Sequence, residues 1–550
     1  MRGGRSILQL VEAVRSKSQP LAEDYCRHFE KVAERFDYHP WQEGEWERRA
    51  DWLASTRLER APRGGLIDVL TAYNLKQGND HEAVRHSLAL LAQEETLVVT
   101  GGQQAGLFTG PLLVIYKAVS VIRLAREASA KLGKPVVPVF WIAGEDHDFD
   151  EVNHWYALTG QLAVERFRLE HPTGKREAVS RLAFESWADA LAKMEEWLQD
   201  SDFKPELMAR LREYADSSRT LTDYFARIMG WLFGAHGLVL LDSDDPALRR
   251  LESPMFQRLL ADCEELNRCV LTGSAVVAEL GYTPQADQTP GQANLFFYND
   301  EGERTLLYRD GDSFANRKRT FRIERAELER LAREEPWRFS NNVMTRPMMQ
   351  DYLLPVLAVV LGPGEIAYWA LTREAFHRMG LRLPLIMPRL EFTLIEGTVH
   401  KNMEKFGLTY DAVMDRFDDF REEWLMDQGQ YEVEELFSET RRRFLELYRP
   451  VLETVASLNP GLAKLGETNR QKIVEQIDYL RNRAADSLQS KFSSGLRQLD
   501  RIHLSLNPLS KPQERVYNVF AYLNRYGSGW IDQLIAAPYD NDGKHRLMFF

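Results

Sequence analysis

The chain has 550 residues, 44% of them hydrophobic and 28% charged, with a formal net charge of −12. That make-up is ordinary for a soluble globular protein, and the length predicts about three or four domains or substructures rather than one core. The acidic balance excludes a general nucleic-acid binder, which needs a basic face. Three cysteines, Cys26, Cys263 and Cys269, lack metal-type CxxC spacing and read as free thiols of a reducing compartment. There is no secretory-length apolar segment at the start and no apolar run of about 18 residues. A cytoplasmic protein with no membrane contact is expected.

Residues 1–95 are predicted to form a helical, polar lead-in packed on the core. Leu8, Leu10, Val11 and Val14 make a modest amphipathic face, Tyr38–Trp46 reads as a loop with aromatic anchors, and Leu66–Leu91 repeats apolar residues at helical spacing. Residues 96–155 are the first half of an α/β core. Leu97–Thr100 is short, apolar and β-rich. A glycine-rich loop, Gly101–Pro111, follows it, and then come apolar residues at helical spacing that stop at Gly133 and Pro135. A second buried strand, Val136–Ile142, runs into a cluster of acids and histidines. This is a β–loop–α–β unit with a right-handed parallel crossover. Ligands of such sheets sit outside the carboxyl ends of the strands, so both loops are expected to face one pocket.

The loop TGGQQAGLFTGP offers close backbone approach at Gly102 and Gly106 and hydrogen-bonding amides at Gln103 and Gln104. Thr109 is expected to cap the helix beside Gly110, with Pro111 in its first turn. The pattern is neither GxGxxG nor GxxxxGK[ST], so an ordinary Walker site is excluded. The cluster Glu145, Asp146, His147, Asp148, Asp150, Glu151 and His154 suits two chemistries. One is a metal set of His147, Asp148 and His154. The other is polar recognition with acid–base work at His147. A plain solvated acidic loop is the alternative to both. Position at a strand end favours polar recognition, and no metal is predicted.

Residues 156–235 read as a mainly helical insertion and 236–293 as core again, with Gly237–Leu241 a third buried strand and a helix cap at Ser243 or Asp244. Residues 294–335 form a small hairpin-and-helix insertion: Phe296–Tyr308 surrounds a turn, and Phe314–Ile323 adds to it. Residues 336–405 are the second half of the core. There Asn341, Asn342, Thr345, Arg346, Gln350 and Asp351 precede a buried run, Tyr352–Leu361, expected to be a fourth strand that ends in the turn Gly362–Glu365. Arg346 is suited to clamp a carboxylate or phosphate, and Arg389 follows a fifth apolar run. Residues 406–506 turn charged and helical. Apolar residues three or four apart, from Leu436 to Leu458 and from Ile473 to Ile502, predict an antiparallel coiled-coil hairpin that serves for pairing. Residues 507–550 are expected to return to the core.

Taken together, TGGQQAGLFTGPLLVIYKA, PVFWIAGEDHDFDEVNH, SNNVMTRPMMQDYLLPVLAVVLGPGEIAYW and the late QER…N run resemble the bacillithiol biosynthesis cysteine-adding enzyme family, in order and over essentially the whole chain. The resemblance implies a Rossmann-like parallel-sheet core with two connective insertions and a C-terminal antiparallel coiled coil that pairs two subunits. It also implies a ligase joining L-cysteine to the glucosamine amine of glucosaminyl-malate through an activated cysteine carboxylate. ATP or another nucleotide, with or without magnesium, is the implied cosubstrate. On that reading His147, Asp146 and Asp148 are the catalytic set, with His147 as general base. Gln103, Gln104, Thr109, Gly110, Asn341, Asn342, Arg346, Gln350, Asp351, Glu365, Tyr368 and Arg389 would bind substrate. Gly102, Gly106, Gln513 and Arg515 would hold the nucleotide. Another ATP-dependent ligase on the same core, or a non-catalytic dimeric binding protein, are the alternatives.

Overall fold

The computed structural model describes residues 9–13, 19–427 and 431–550. The chain divides into two compact units, residues 1–394 with 511–548 and residues 395–510 with 549–550. The core of the first is a five-stranded sheet. Its elements in chain order are β1 (Leu97–Gln103), α1 (Leu113–Leu132), β2 (Val136–Ile142), β3 (Val239–Asp242), β4 (Val356–Leu361) and β5 (Leu385–Pro388). All pairings are parallel, and the spatial order is β5–β4–β1–β2–β3. Every residue of β2 and β4 is buried. That is why VVPVFWI and VLAVVL read as unbroken apolar runs: helices cover both faces of a parallel sheet. The chain runs outward from β1 to β2 and β3, then returns to the other side of β1 as β4. The switch point therefore lies between β1 and β4, where a doubly wound sheet opens a crevice.

The doubled glycine belongs to the strand rather than to the loop. Gly101 and Gly102 pair with Phe140 and Trp141, so β1 continues to Gln103. A Cβ on Gly102 would lie 2.6 Å from the Trp141 carbonyl oxygen, a distance no side chain tolerates. The expected strand at Tyr352–Leu361 also shifts. Arg346–Leu353 is a helix with proline in its first turn, and β4 starts only after Pro355. At β3 the cap of the next helix is Asp245, which accepts from the N–H groups of Ala247 and Leu248, rather than Ser243 or Asp244.

Two further sheets flank this core. Gln292–Tyr298, Arg304–Asp310, Ser313–Ala315 and Arg322–Glu324 form an antiparallel meander, and Phe339–Asn341 joins its other edge. The segment Gln9–Ala13 is a strand in a three-stranded sheet with His545–Phe549 and Glu391–Ile395. The amphipathic lead-in thus begins with a strand, because the returning C-terminal segment supplies an edge for it. Leu10 and Val11 belong to that strand; Leu8 and Val14 lie outside the described residues.

The second unit is helical. Tyr431–Leu458 and Ala463–Lys491 are joined by a turn at Pro460–Leu462 and pack along each other, and Ser493–Leu506 follows. Leu496, Leu499 and Ile502 are buried, whereas Leu436, Leu447, Leu458 and Leu480 of the expected stripe are more than half exposed. Among the described residues no helix is long and apolar enough to cross a membrane.

Candidate active site

A cavity of about 630 Å³ opens at the carboxyl ends of β1 and β4. The strand ends contribute Gly102, Gln103, Gln104 and the Gly362–Glu365 turn, and the antiparallel sheet contributes Phe296, Arg304 and Leu306. This volume lies within the ordinary range for small-molecule sites.

One wall is cationic. Lys117 projects from α1 and is 1% exposed. Its ammonium donates to the Gly102 carbonyl at 2.8 Å, to Gln103 Oε1 at 3.0 Å and to Glu365 Oε2 at 2.5 Å. All three of its hydrogens are used, so it stays an ammonium and ties the end of β1 to the turn after β4. Burial lowers the Lys117 pKa and Glu365 works against that shift. Glu365 also accepts from the Gly362 N–H at 2.8 Å. Burial tends to raise its own carboxyl, but Lys117 and Arg346 outweigh it and hold the pKa below the usual value. Arg346 is not paired with Asp351; its Nη2 donates to the Tyr368 hydroxyl at 2.6 Å. Arg389 makes two 2.8 Å bonds to Glu514, and Arg515 is exposed on the cavity lining.

The facing wall carries acids, amides and the imidazole. Gln104 Nε2 donates to Asp146 Oδ2 at 2.9 Å and also bonds Glu151. Burial works to raise the Asp146 carboxyl, but Arg304 and the hydrogen bonds from Gln104 and the Asp148 N–H more than offset it and the pKa falls below its ordinary value. Arg304 Nη1 lies 2.7 Å from His147 Nδ1. A guanidinium only donates, so Nδ1 is the acceptor and the neutral ring carries its proton on Nε2. Burial, with Arg304 and Arg176 behind it, lowers the His147 pKa to about 4. This reverses the role expected for His147: its basic nitrogen is already occupied, and what remains to offer is an N–H donor. Behind the wall, Glu145 accepts from Arg249 Nη2 at 2.5 Å and from the Asn341 N–H at 3.1 Å. Asn341 is 2% exposed and lines the cavity, and both amide atoms of its side chain have no partner among the described residues.

The cavity gathers Gly102, Gln103, Gln104, Asp146, His147, Asn341, Asn342, Arg346, Glu365, Tyr368, Arg389 and Arg515 from the expected set. Asn342 also has a local task, accepting from the N–H groups of Met344 and Thr345 where the Arg346 helix begins. Seven expected residues do not line it. Asp148 is exposed beyond the loop. Thr109 caps no helix; it sits fully buried at φ 71° in a tight turn. Gly106 and Gly110 build that turn, since a Cβ on Gly106 would meet Gly110 Cα at 2.8 Å. Asn518 of the late run clamps it, donating to the Phe108 and Gly110 carbonyls at 2.7 and 2.8 Å. Gln350 is buried in its helix. Asp351 pairs with Arg49 and Arg60. Gln513 bonds the backbone of Leu394.

Seven polar cavity residues escaped the expected set: Lys117, Glu145 and Arg304, together with Gln285, Asp287, Gln288 and Gln292. Lys117 left a trace, a lysine on the apolar stripe of a helix. Glu145 stood in the acidic cluster with nothing to rank it above its neighbours. Arg304 left none, because an arginine in a hairpin is common on solvent faces. His154 sits in the strand His154–Leu158, and among the described residues no three His, Cys, Asp or Glu side chains converge as a metal set.

Relatives share this chain along its length. Proteins named "Putative cysteine ligase BshC" match at 35% identity in Geobacillus sp. (strain WCH70), over 98% of this chain and 100% of the relative. The one from Symbiobacterium thermophilum matches at 37%, over 96% of each. The one from Bacillus cytotoxicus matches at 34%, over 96% of this chain and 98% of the relative. The model of the N-terminal Rossmann-like domain of bacillithiol biosynthesis BshC matches residues 8–390, and that of its C-terminal coiled-coil domain residues 392–550. With both halves matched in order around the cavity just described, the chain belongs to the bacillithiol biosynthesis BshC family.

Proposed function

We propose that the chain is a carbon–nitrogen ligase that joins the carboxyl of L-cysteine to the glucosamine amine of glucosaminyl-malate. The observation that carries this reading is the pairing, in one cavity, of a cationic wall with an acid and amide wall. Carboxylates of malate suit Arg346 and Arg515, whose guanidinium forks match them, while the Arg389 fork is held by Glu514. The sugar amine and hydroxyls suit Asp146, Gln104 and Asn341.

An amine does not displace oxide from a carboxylate, so the cysteine carboxyl is first activated. It attacks a nucleotide phosphate, giving an acyl phosphate with ADP or an adenylate with pyrophosphate. The amine nitrogen then bonds the acyl carbon, the acyl C–O bond breaks, and phosphate or AMP leaves. The nitrogen's proton passes to Asp146. The Nε2–H of neutral His147 donates to the developing oxyanion, as a preorganised donor should. The exposed leucines of the helical hairpin suit pairing with a second copy; sedimentation at micromolar concentration should give a two-chain mass, and a one-chain mass would remove that pairing.

The test mixes the protein with cysteine, glucosaminyl-malate, magnesium and ATP, and follows the amide and nucleotide products by mass spectrometry. Amide with AMP assigns adenylate chemistry, and amide with ADP assigns an acyl phosphate. Amide formation with another acceptor alone would favour a different ligase. Tight ligand binding with no turnover would favour a binding protein.

A further inference from the structure

The cavity has a third surface that the polar chemistry leaves unused. Phe296 and Leu306 face each other across the antiparallel pair Gln292–Tyr298 and Arg304–Asp310, so their side chains stand on the same side of the sheet. Both are half-buried and both line the cavity, which Ala286 also lines together with polar Gln285, Asp287, Gln288 and Gln292. Arg304, two residues before Leu306, projects from the same face. Its guanidinium lies 3.8 Å from the Phe296 ring centroid, and the His147 ring centroid lies 5.5 Å from it. The aromatic ring is thereby held in place next to the imidazole and Asp146.

We infer that Phe296 and Leu306 form the subsite for the cysteine side chain and select it over serine. The inference rests on the ligase reading above. Of the two substrates that the ligase joins in that reading, the amine acceptor is a sugar joined to a dicarboxylic acid and has no apolar group to place here. Cysteine has one. A thiol is a weak hydrogen-bonding group that behaves as a small hydrophobe, and sulfur packs favourably against an aromatic ring. A serine hydroxyl placed against Leu306 and Phe296 exchanges water for carbon and gains no hydrogen bond from those two side chains. The subsite also puts the cysteine carboxyl within the same cavity as Asp146 and His147, where the amine must arrive.

The measurement compares kcat/KM for cysteine, serine and alanine in amide formation with glucosaminyl-malate and magnesium ATP. Cysteine should exceed serine on the order of a hundredfold, the usual reach of an apolar pocket against an added hydroxyl. Leu306→Asn should shrink that ratio at least about tenfold, lowering cysteine and raising serine, while KM for glucosaminyl-malate stays put. Phe296→Leu, which keeps the wall apolar but removes the ring, should lower cysteine several-fold and leave serine excluded. An unchanged cysteine-to-serine ratio in Leu306→Asn overturns the subsite, including the case in which both rates fall together. If wild type forms no amide, the ligase reading falls instead. Calorimetric titration then decides the subsite by itself: it stands if wild type binds cysteine more tightly than serine and Leu306→Asn does not, and it falls if the two variants rank the amino acids alike.

Discussion

Arg249 in the core and Arg442 in the helical hairpin make ion pairs of nearly the same length. Arg249 holds Glu145 at 2.5 Å and Glu252 at 2.6 Å, and Arg442 holds Glu439 at 2.7 Å. Their surroundings differ completely. Arg249 and Glu252 are 0% exposed, whereas Arg442 and Glu439 side chains are 59% and 35% exposed. In water an ion pair competes with hydration, salt and side-chain entropy and contributes little. Out of water, each charge must keep its partner, so the network becomes a fixed frame. The core uses this to hold Glu145 and Asn341 at the cavity; the hairpin's pairs remain in contact with solvent.

Four substitutions sharpen or break that contrast. Arg249→Met strands the Glu145 carboxylate in the interior and should cost about 3–5 kcal/mol in denaturant unfolding. A loss no larger than that of a surface substitution would show that the frame is not held by charge. Lys117→Met should lower kcat/KM on the order of a hundredfold, because the end of β1 and the turn after β4 lose their shared cation. Retained activity in an assay of amide formation would remove Lys117 from the machinery.

Glu252 supplies the pH test. Burial, outweighing Arg249, raises its carboxyl from the ordinary 4.5 to about 7. The stability held by its protonated form is complete below about pH 4.5 and is lost as pH rises through 7. Glu252→Gln should therefore flatten the decline in melting temperature between about pH 5 and 8, and parallel curves for the two proteins would refute the assignment. Smallest of all, Glu439→Ala should leave the melting temperature of the full chain unchanged, in low salt and in high salt. A clear fall would mean that the hairpin's surface pairs form a network of their own.

Much of this molecule could be read from residue patterns. The two apolar strands β1 and β2, the helix between them and its glycine stop follow from local periodicity and chain punctuation. The convergence of TGGQQ and GEDH on one cavity follows from the switch-point rule. Thr109 and Gly106 misled because glycine-rich loops serve ligands and tight turns with the same residues. Only Asn518, some 400 residues away in sequence, reveals which task this turn performs. Gln9–Ala13 misled because five residues support either periodicity until a neighbouring strand chooses between them.

The residue order by itself determined what depends on spacing: strands buried on both faces, a helical hairpin with apolar stripes, and polar loops at strand ends. Tertiary structure alone decided which side chains meet. Lys117 reaches Glu365 across 248 positions, and Arg304 reaches His147 across 157. These contacts set protonation and hydrogen-bond roles. Arg304 turns His147 from the expected base into a donor, because a guanidinium can only give protons to the nitrogen it faces. No periodicity encodes that, since the free energy of a buried charge depends on what has replaced water around it.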